Sequence, residues 1–187
     1  MSRILVLYGT TEGQTAKVAQ YLGDTLQAAG VPADVVEAGT ASPSPDGYDG
    51  VLVAASVHTG GYQRAVHRWV HEHAKRLNDK PAAFVSVCLG VLQHTTKAQA
   101  DLAAIADRFL TETGWHPATI KQVAGALPYS KYNWLTRWTM VRIVRKAGGD
   151  TDTSRDYEYT DWADLRAFAE EFARSLRART ISEARVA

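Results

Sequence analysis

The stretch Gly9 to Thr15, GTTEGQT, gathers three hydroxyls, a carboxylate, an amide and two glycines between two apolar segments. The apolar run before it, Arg3 to Tyr8, stops abruptly; after it apolar residues return at helical spacing as Val18, Ala19, Leu22 and Leu26. A loop that passes from a strand into a helix start offers unpaired backbone N–H groups and the positive end of the helix dipole. With the hydroxyls of Thr10, Thr11 and Thr15 added, it is suited to a phosphate dianion without any lysine, and it contains no basic residue at all. The pattern is neither G-x-x-x-x-G-K-[ST] nor G-x-G-x-x-G, which argues against a nucleoside triphosphate and a dinucleotide. The plainer alternative is a helix with Thr as its N-cap, but a cap needs one hydroxyl and this stretch carries three.

Other chemistry-bearing residues are sparser. His67 and His71 lie one helical turn apart, with His73 nearby, but no third ligand is apparent, so a solvated helix face is the expectation and no metal is expected. Cys88 is the chain's one cysteine, which excludes an internal disulfide and fits a reducing, cytoplasmic setting. At the end of a buried strand it reads most simply as a small core residue. His58 and His94, the imidazoles of the candidate loops, are the candidates for a catalytic acid or base. No Ser/His/Asp arrangement stands out. The 187 residues carry a net charge of +1, with 45% hydrophobic and 22% charged side chains, as in one soluble globular domain. The opening apolar run is too short for a signal peptide or a membrane span.

The elements that must position these residues alternate. Strands are expected at Arg3–Tyr8, Ala33–Glu37, Gly50–Ser56, Ala82–Leu89 and Lys121–Leu127. Helices are expected at about Thr15–Ala29, Gln63–Leu77, Ala98–Thr113 and Thr160–Arg179, with residues 180–187 as a frayed tail. Buried strands in that rhythm predict an α/β fold, a three-layer sandwich with a five-stranded parallel sheet and helices on both faces. Ligands of such sheets bind beyond the carboxyl ends of the strands. The loops Gly9–Thr15, Ser56–Tyr62 and Leu89–Thr96 would meet there.

At the first of these loops the chain resembles the flavodoxin family. The family's FMN-phosphate signature is filled by Val6, Leu7, Tyr8, Thr10, Gly13, Thr15, Ala19 and Leu22. The resemblance implies a single flavodoxin-like domain over residues 1–179 with strand order 2-1-3-4-5, and FMN as cofactor. It places the phosphate at Thr10, Thr11, Glu12, Gly13, Gln14 and Thr15. It sets the flavin ring between Ser56, Val57, His58, Thr59, Gly60, Gly61 and Tyr62 on one side and Val87, Cys88, Leu89, Gly90 and His94 on the other. Tyr62 is the aromatic available to one ring face; the second loop has none, so that face is expected to be open or covered by an aliphatic side chain or His94.

Between the fifth strand and the last helix lies a departure from the rhythm, residues 128–150. From Pro128 to Gly149 there are five basic residues and no acidic one, interleaved with two tyrosines and two tryptophans. With AASVHTGGY and HEHAKRLNDKPAAFVSV, this insert resembles the menaquinone-dependent protoporphyrinogen IX dehydrogenases. The resemblance implies oxidation of protoporphyrinogen IX to protoporphyrin IX in haem synthesis, with a quinone as acceptor. A porphyrinogen is a broad apolar macrocycle with two propionates, so its site should pair aromatic faces with cations. Lys131, Trp134, Arg137, Trp138, Arg142 and Arg145 are the expected substrate-binding residues. The same chemistry suits a membrane–water interface, so the insert could also rest on the inner face of the cell membrane. A helix packed on the domain with a solvated basic face is the structural alternative. An electron-carrier flavodoxin or a non-catalytic flavin-binding module is the functional one, although carriers are typically acidic and this chain is not. Nucleic acid is not an expected partner of a near-neutral chain with one short basic segment.

Overall fold

A computed structural model describes residues 2–93, 95–127 and 152–186, with 180–186 described by backbone alone. The sheet is built from β1 (Ile4–Gly9), β2 (Ala33–Glu37), β3 (Gly50–Ser56), β4 (Ala82–Val87) and β5 (Thr119–Val123). Its order is β2-β1-β3-β4-β5 and every pairing is parallel, with Ile4 opposite Ala33 and Gly50 in the central register. This is the expected order. The central strands are apolar throughout because both of their faces are covered, and Ile4 to Leu7 have no exposed surface.

Strand periodicity sends alternate residues to opposite layers. Ile4, Val6, Leu52 and Val85 pack against α1 (Gln14–Ala28) and α4 (Trp162–Val186), which supply Val18, Leu22, Leu165 and Phe172. Leu5, Leu7, Val53 and Phe84 pack against α2 (Arg64–Asn78) and α3 (Thr96–Thr113), which supply Val66, Trp69 and Phe109. Helix starts and stops follow local chemistry. Thr95 accepts from Ala98 N–H at 3.2 Å to cap α3, whose far end closes on Gly114 in the left-handed region (φ 71°).

Three elements differ from expectation. The fourth strand ends at Val87, not Leu89, because Cys88 Sγ accepts from Gly90 N–H at 3.3 Å and starts a 3-10 turn over Leu89–Leu92. The fifth strand ends at Val123. Its expected continuation is instead β6 (Ala126–Leu127), which pairs antiparallel with β7 (Tyr157–Glu158) in a separate two-stranded ladder. The break falls at Ala124–Gly125, where Gly125 O accepts from Tyr159 N–H at 3.1 Å rather than extending the sheet. Lastly, α4 runs to Val186, through residues expected to fray, in a stretch with neither Gly nor Pro to stop it.

Candidate cofactor site

The helix start at the first loop is not capped by threonine. Gly13 is the N-cap, with φ 97° and no side-chain cap, a conformation that glycine adopts without strain. The three hydroxyls have different duties. Thr10 Oγ1 accepts from Gly13 N–H at 2.9 Å and folds the loop on itself. Thr11 Oγ1 accepts from Gln63 Nε2 at 3.0 Å; the same amide donates to Ser56 Oγ at 2.7 Å and to Ser56 O at 3.2 Å, tying the first loop to the second. Thr15, in the first turn of α1, is only 1% exposed, and its Oγ1 has no hydrogen-bond partner among the described residues. A buried hydroxyl left unpaired costs about 1–3 kcal/mol. Here it sits in the turn whose amides have no intrahelical partner. Lys17, the nearest cation along the helix, is turned aside to Glu158 at 3.0 Å. A dry donor in the first turn, at the dipole end, fits the oxygen atoms of a phosphate.

The second loop is a tight reversal. His58 N–H donates to Gly61 O at 2.8 Å and Gly61 N–H returns to His58 O at 3.1 Å, with φ of 48° at Thr59 and 76° at Gly60. That is the geometry of a type I′ turn, and Thr59 is a β-branched residue held where glycine or asparagine is preferred. Arg108 of α3 donates to the Gly60 carbonyl and helps fix the strained turn. Val57 N–H bonds Val87 O at 2.9 Å, so the second and third loops leave the sheet side by side. Cys88 N–H bonds Val123 O at 2.9 Å, and burial pushes the Cys88 thiol up in pKa, which keeps it a neutral packing group.

Tyr62 is taken up by the α2–α3 layer. Its ring lies edge-on to Phe84 and Phe109, each 5.0 Å between centroids, and its hydroxyl pairs with Ser86 Oγ at 2.8 Å. Burial pushes the phenol up to about 12, despite the opposing bond to Ser86. The structure thus brings together Thr10–Thr15, Ser56–Tyr62 and Val87–Gly90 at the carboxyl ends of β1, β3 and β4. His94 lies outside the described residues, as do Lys131, Trp134, Arg137, Trp138, Arg142, Arg145 and the rest of 128–150. Gln63 and Arg108, absent from the sequence expectation, prove to be the side chains that link and clamp the loops. Their type carries no signal; only the tertiary placement does.

The family model for the flavodoxin domain matches residues 5–154. The chain belongs to the flavodoxin-domain family. The match takes in all three loops of this flavodoxin domain and ends beyond the 128–150 segment. The chain is similar to the "Protoporphyrinogen IX dehydrogenase [quinone]" of Escherichia coli (strain K12), 37% identical over 172 residues that cover 91% of this chain and 94% of that protein. A protein of the same name from Leishmania major is 34% identical over 177 residues, covering 91% of this chain and 74% of that protein. Among solved structures, a flavodoxin from the domain Archaea aligns with TM-score 0.55 at 12% identity, covering 94% of this chain and 99% of that chain. Flavodoxin 1 from Bacillus cereus aligns with TM-score 0.55 at 14% identity, covering 92% and 98%. Identities this low speak to the fold alone.

Within this flavodoxin domain two of the three histidines of α2 make contacts with neighbouring side chains. His67 Nε2 lies 3.2 Å from Glu112, and His73 meets Trp69 edge-on at 4.9 Å, where burial lowers its pKa. No group of three or more His, Cys, Asp or Glu that could hold a metal ion occurs among the described residues, and no described helix is long and apolar enough to cross a membrane.

Proposed function

We propose that this chain is an FMN-dependent oxidoreductase that oxidises protoporphyrinogen IX to protoporphyrin IX and delivers the electrons to a quinone. The observation that carries the cofactor half is the Thr15 hydroxyl, buried and without a partner among the described residues in the first turn of α1. The substrate half is supported by 37% identity to a protein of that name across 91% of this chain and nearly the whole of the relative. FMN supplies the two-electron redox chemistry when bound. The protein's part is to hold and orient. Thr10 to Thr15 grip the phosphate through neutral donors, while Gln63 and the clamped Thr59–Gly60 turn fix the walls against which a flat ring lies. The basic aromatic segment binds the macrocycle, with Lys131, Arg137, Arg142 and Arg145 on the propionates and Trp134 and Trp138 against the rings. The same segment rests on the inner membrane surface, where a lipid quinone is met. His58 or His94 receives the pyrrole proton.

Turnover tests this directly. Under anaerobic conditions the FMN-loaded protein should convert protoporphyrinogen to fluorescent protoporphyrin when a menaquinone or ubiquinone analogue is supplied. Absence of product with either quinone, with the flavin still reducible by a flavodoxin reductase, would favour the electron-carrier reading. That reading draws on the fold likeness to flavodoxins; the near-neutral charge and the 128–150 segment weigh against it.

A further inference from the structure

The first turn of α1 does more than face a phosphate. Gln14 and Lys17 flank Thr15 in sequence, and both reach across to the stretch that follows the 128–151 segment. Gln14 Nε2 donates to Thr160 Oγ1 at 2.9 Å, and Thr160 Oγ1 in turn donates to Ala124 O at 2.8 Å. Thr160 is 8% exposed, so this hydroxyl is buried and both its donor and acceptor roles are used. Lys17 Nζ meets Glu158 Oε2 at 3.0 Å, while Glu158 Oε1 accepts from Trp162 Nε1 at 2.9 Å. A cleft of about 170 Å³ separates the Glu12–Lys17 stretch from Asp156–Glu158.

Ala126–Leu127 and Tyr157–Glu158, paired as β6 and β7, are the two ends from which residues 128–151 depart. They are fastened to each other, and through Thr160 and Glu158 to the turn that presents Thr15. An exposed ion pair such as Lys17–Glu158 contributes little to stability. The Gln14–Thr160–Ala124 chain is part-buried and costs more to break, because a loss leaves the buried Thr160 hydroxyl short of a partner. Displacing the ladder therefore disturbs the helix start, and ordering the helix start holds the ladder.

We propose that Thr160 and Glu158 are positioning residues that join the phosphate grip of α1 to the β6–β7 root of the 128–151 segment, so that cofactor phosphate and root order one another. This rests on the FMN reading above. The coupling is reciprocal by linkage. A phosphate-bearing flavin should tighten the ladder, riboflavin should not, and loosening the ladder should weaken FMN alone.

Hydrogen exchange of the full chain, with saturating FMN or saturating riboflavin, reads this out at the Tyr159 amide that bonds Gly125 O. FMN should slow its exchange about fivefold more than riboflavin does, the equivalent of one hydrogen bond. Thr160→Val should remove that difference and weaken FMN about fivefold with riboflavin affinity unchanged, and Thr160→Ser, which keeps the hydroxyl, should restore both. Glu158→Gln, a surface change that spares the bond from Trp162 and removes the ion pair, should reduce the difference in a chain whose fold is not at risk. Equal slowing by both flavins in the native chain, or an FMN-specific slowing that survives both Thr160→Val and Glu158→Gln, would overturn the proposal and leave FMN binding intact. Titrations in which neither flavin binds would remove the FMN reading and this coupling with it.

Discussion

On the proposed reading, Thr15 lowers the stability of the ligand-free protein and serves the cofactor phosphate. Its hydroxyl is dry and unpaired, so Thr15→Val, which keeps the β-branched shape, should stabilise the ligand-free chain by about 1 kcal/mol. In thermal melts that is a rise of about 2–4 °C for a chain of this size. The same change should weaken FMN about tenfold or more, as expected for a hydrogen bond to a charged group, and leave riboflavin untouched. A fall in melting temperature without ligand would mean that the hydroxyl has a partner. Thr59 stores strain of another kind. At φ 48°, Thr59→Gly should stabilise the ligand-free protein by roughly 1 kcal/mol, measured by chemical denaturation. Tyr62 gives a pH signature. Its phenol in the folded state titrates at about 12, above the ordinary value near 10 of an unfolded chain, so the neutral form is favoured by folding. The stability this confers is complete below about pH 10 and is lost as pH climbs toward 12. The stability gap between native chain and Tyr62→Phe should therefore narrow across that interval. A gap that stays constant would contradict the burial of the phenol.

At the scale of elements, packing overrides propensity at Gly23. Glycine inside a helix costs about 1 kcal/mol relative to alanine, so Gly23→Ala looks favourable on sequence grounds. In the fold, however, a methyl there would collide with Val35 Cγ2 on β2, a stiff β-branched side chain. Overpacking of this kind costs about 1–3 kcal/mol, so the net effect should be a loss of roughly 1 kcal/mol in denaturant unfolding. Adding Val35→Ala should recover part of it; strict additivity of the two changes would argue against the clash. β2 and β3 were legible in the sequence to the residue. For β3 the reason is that a buried parallel strand is apolar and ends where polar loop residues begin. For the half-exposed edge strand β2 it is that Pro32 and the Gly39-containing loop bracket a short β-branched run. β5 was not, since an apolar run from Lys121 to Leu127 has the same composition whether it is one strand or, as here, two segments broken at Gly125. The first loop was legible from spacing alone. The bonds that give it shape were not: Gln63 lies 52 positions from Thr11 and Thr160 lies 146 from Gln14, and no local pattern reports such pairings.

On the scale of the whole molecule, the sheet separates two apolar layers and gathers three loops beyond the carboxyl ends of β1, β3 and β4. The 128–151 segment departs from a ladder fastened to the first of those loops. That arrangement ties the roots of residues 128–151 to the loop that begins α1. The most direct test follows the flavin itself, under anaerobic conditions, in the FMN-loaded full chain. Protoporphyrinogen should bleach the visible flavin absorption, two electrons to each FMN, and a menaquinone analogue should restore it, with one protoporphyrin formed for about every three quinones reduced. Flavin that stays oxidised in excess protoporphyrinogen would contradict the account.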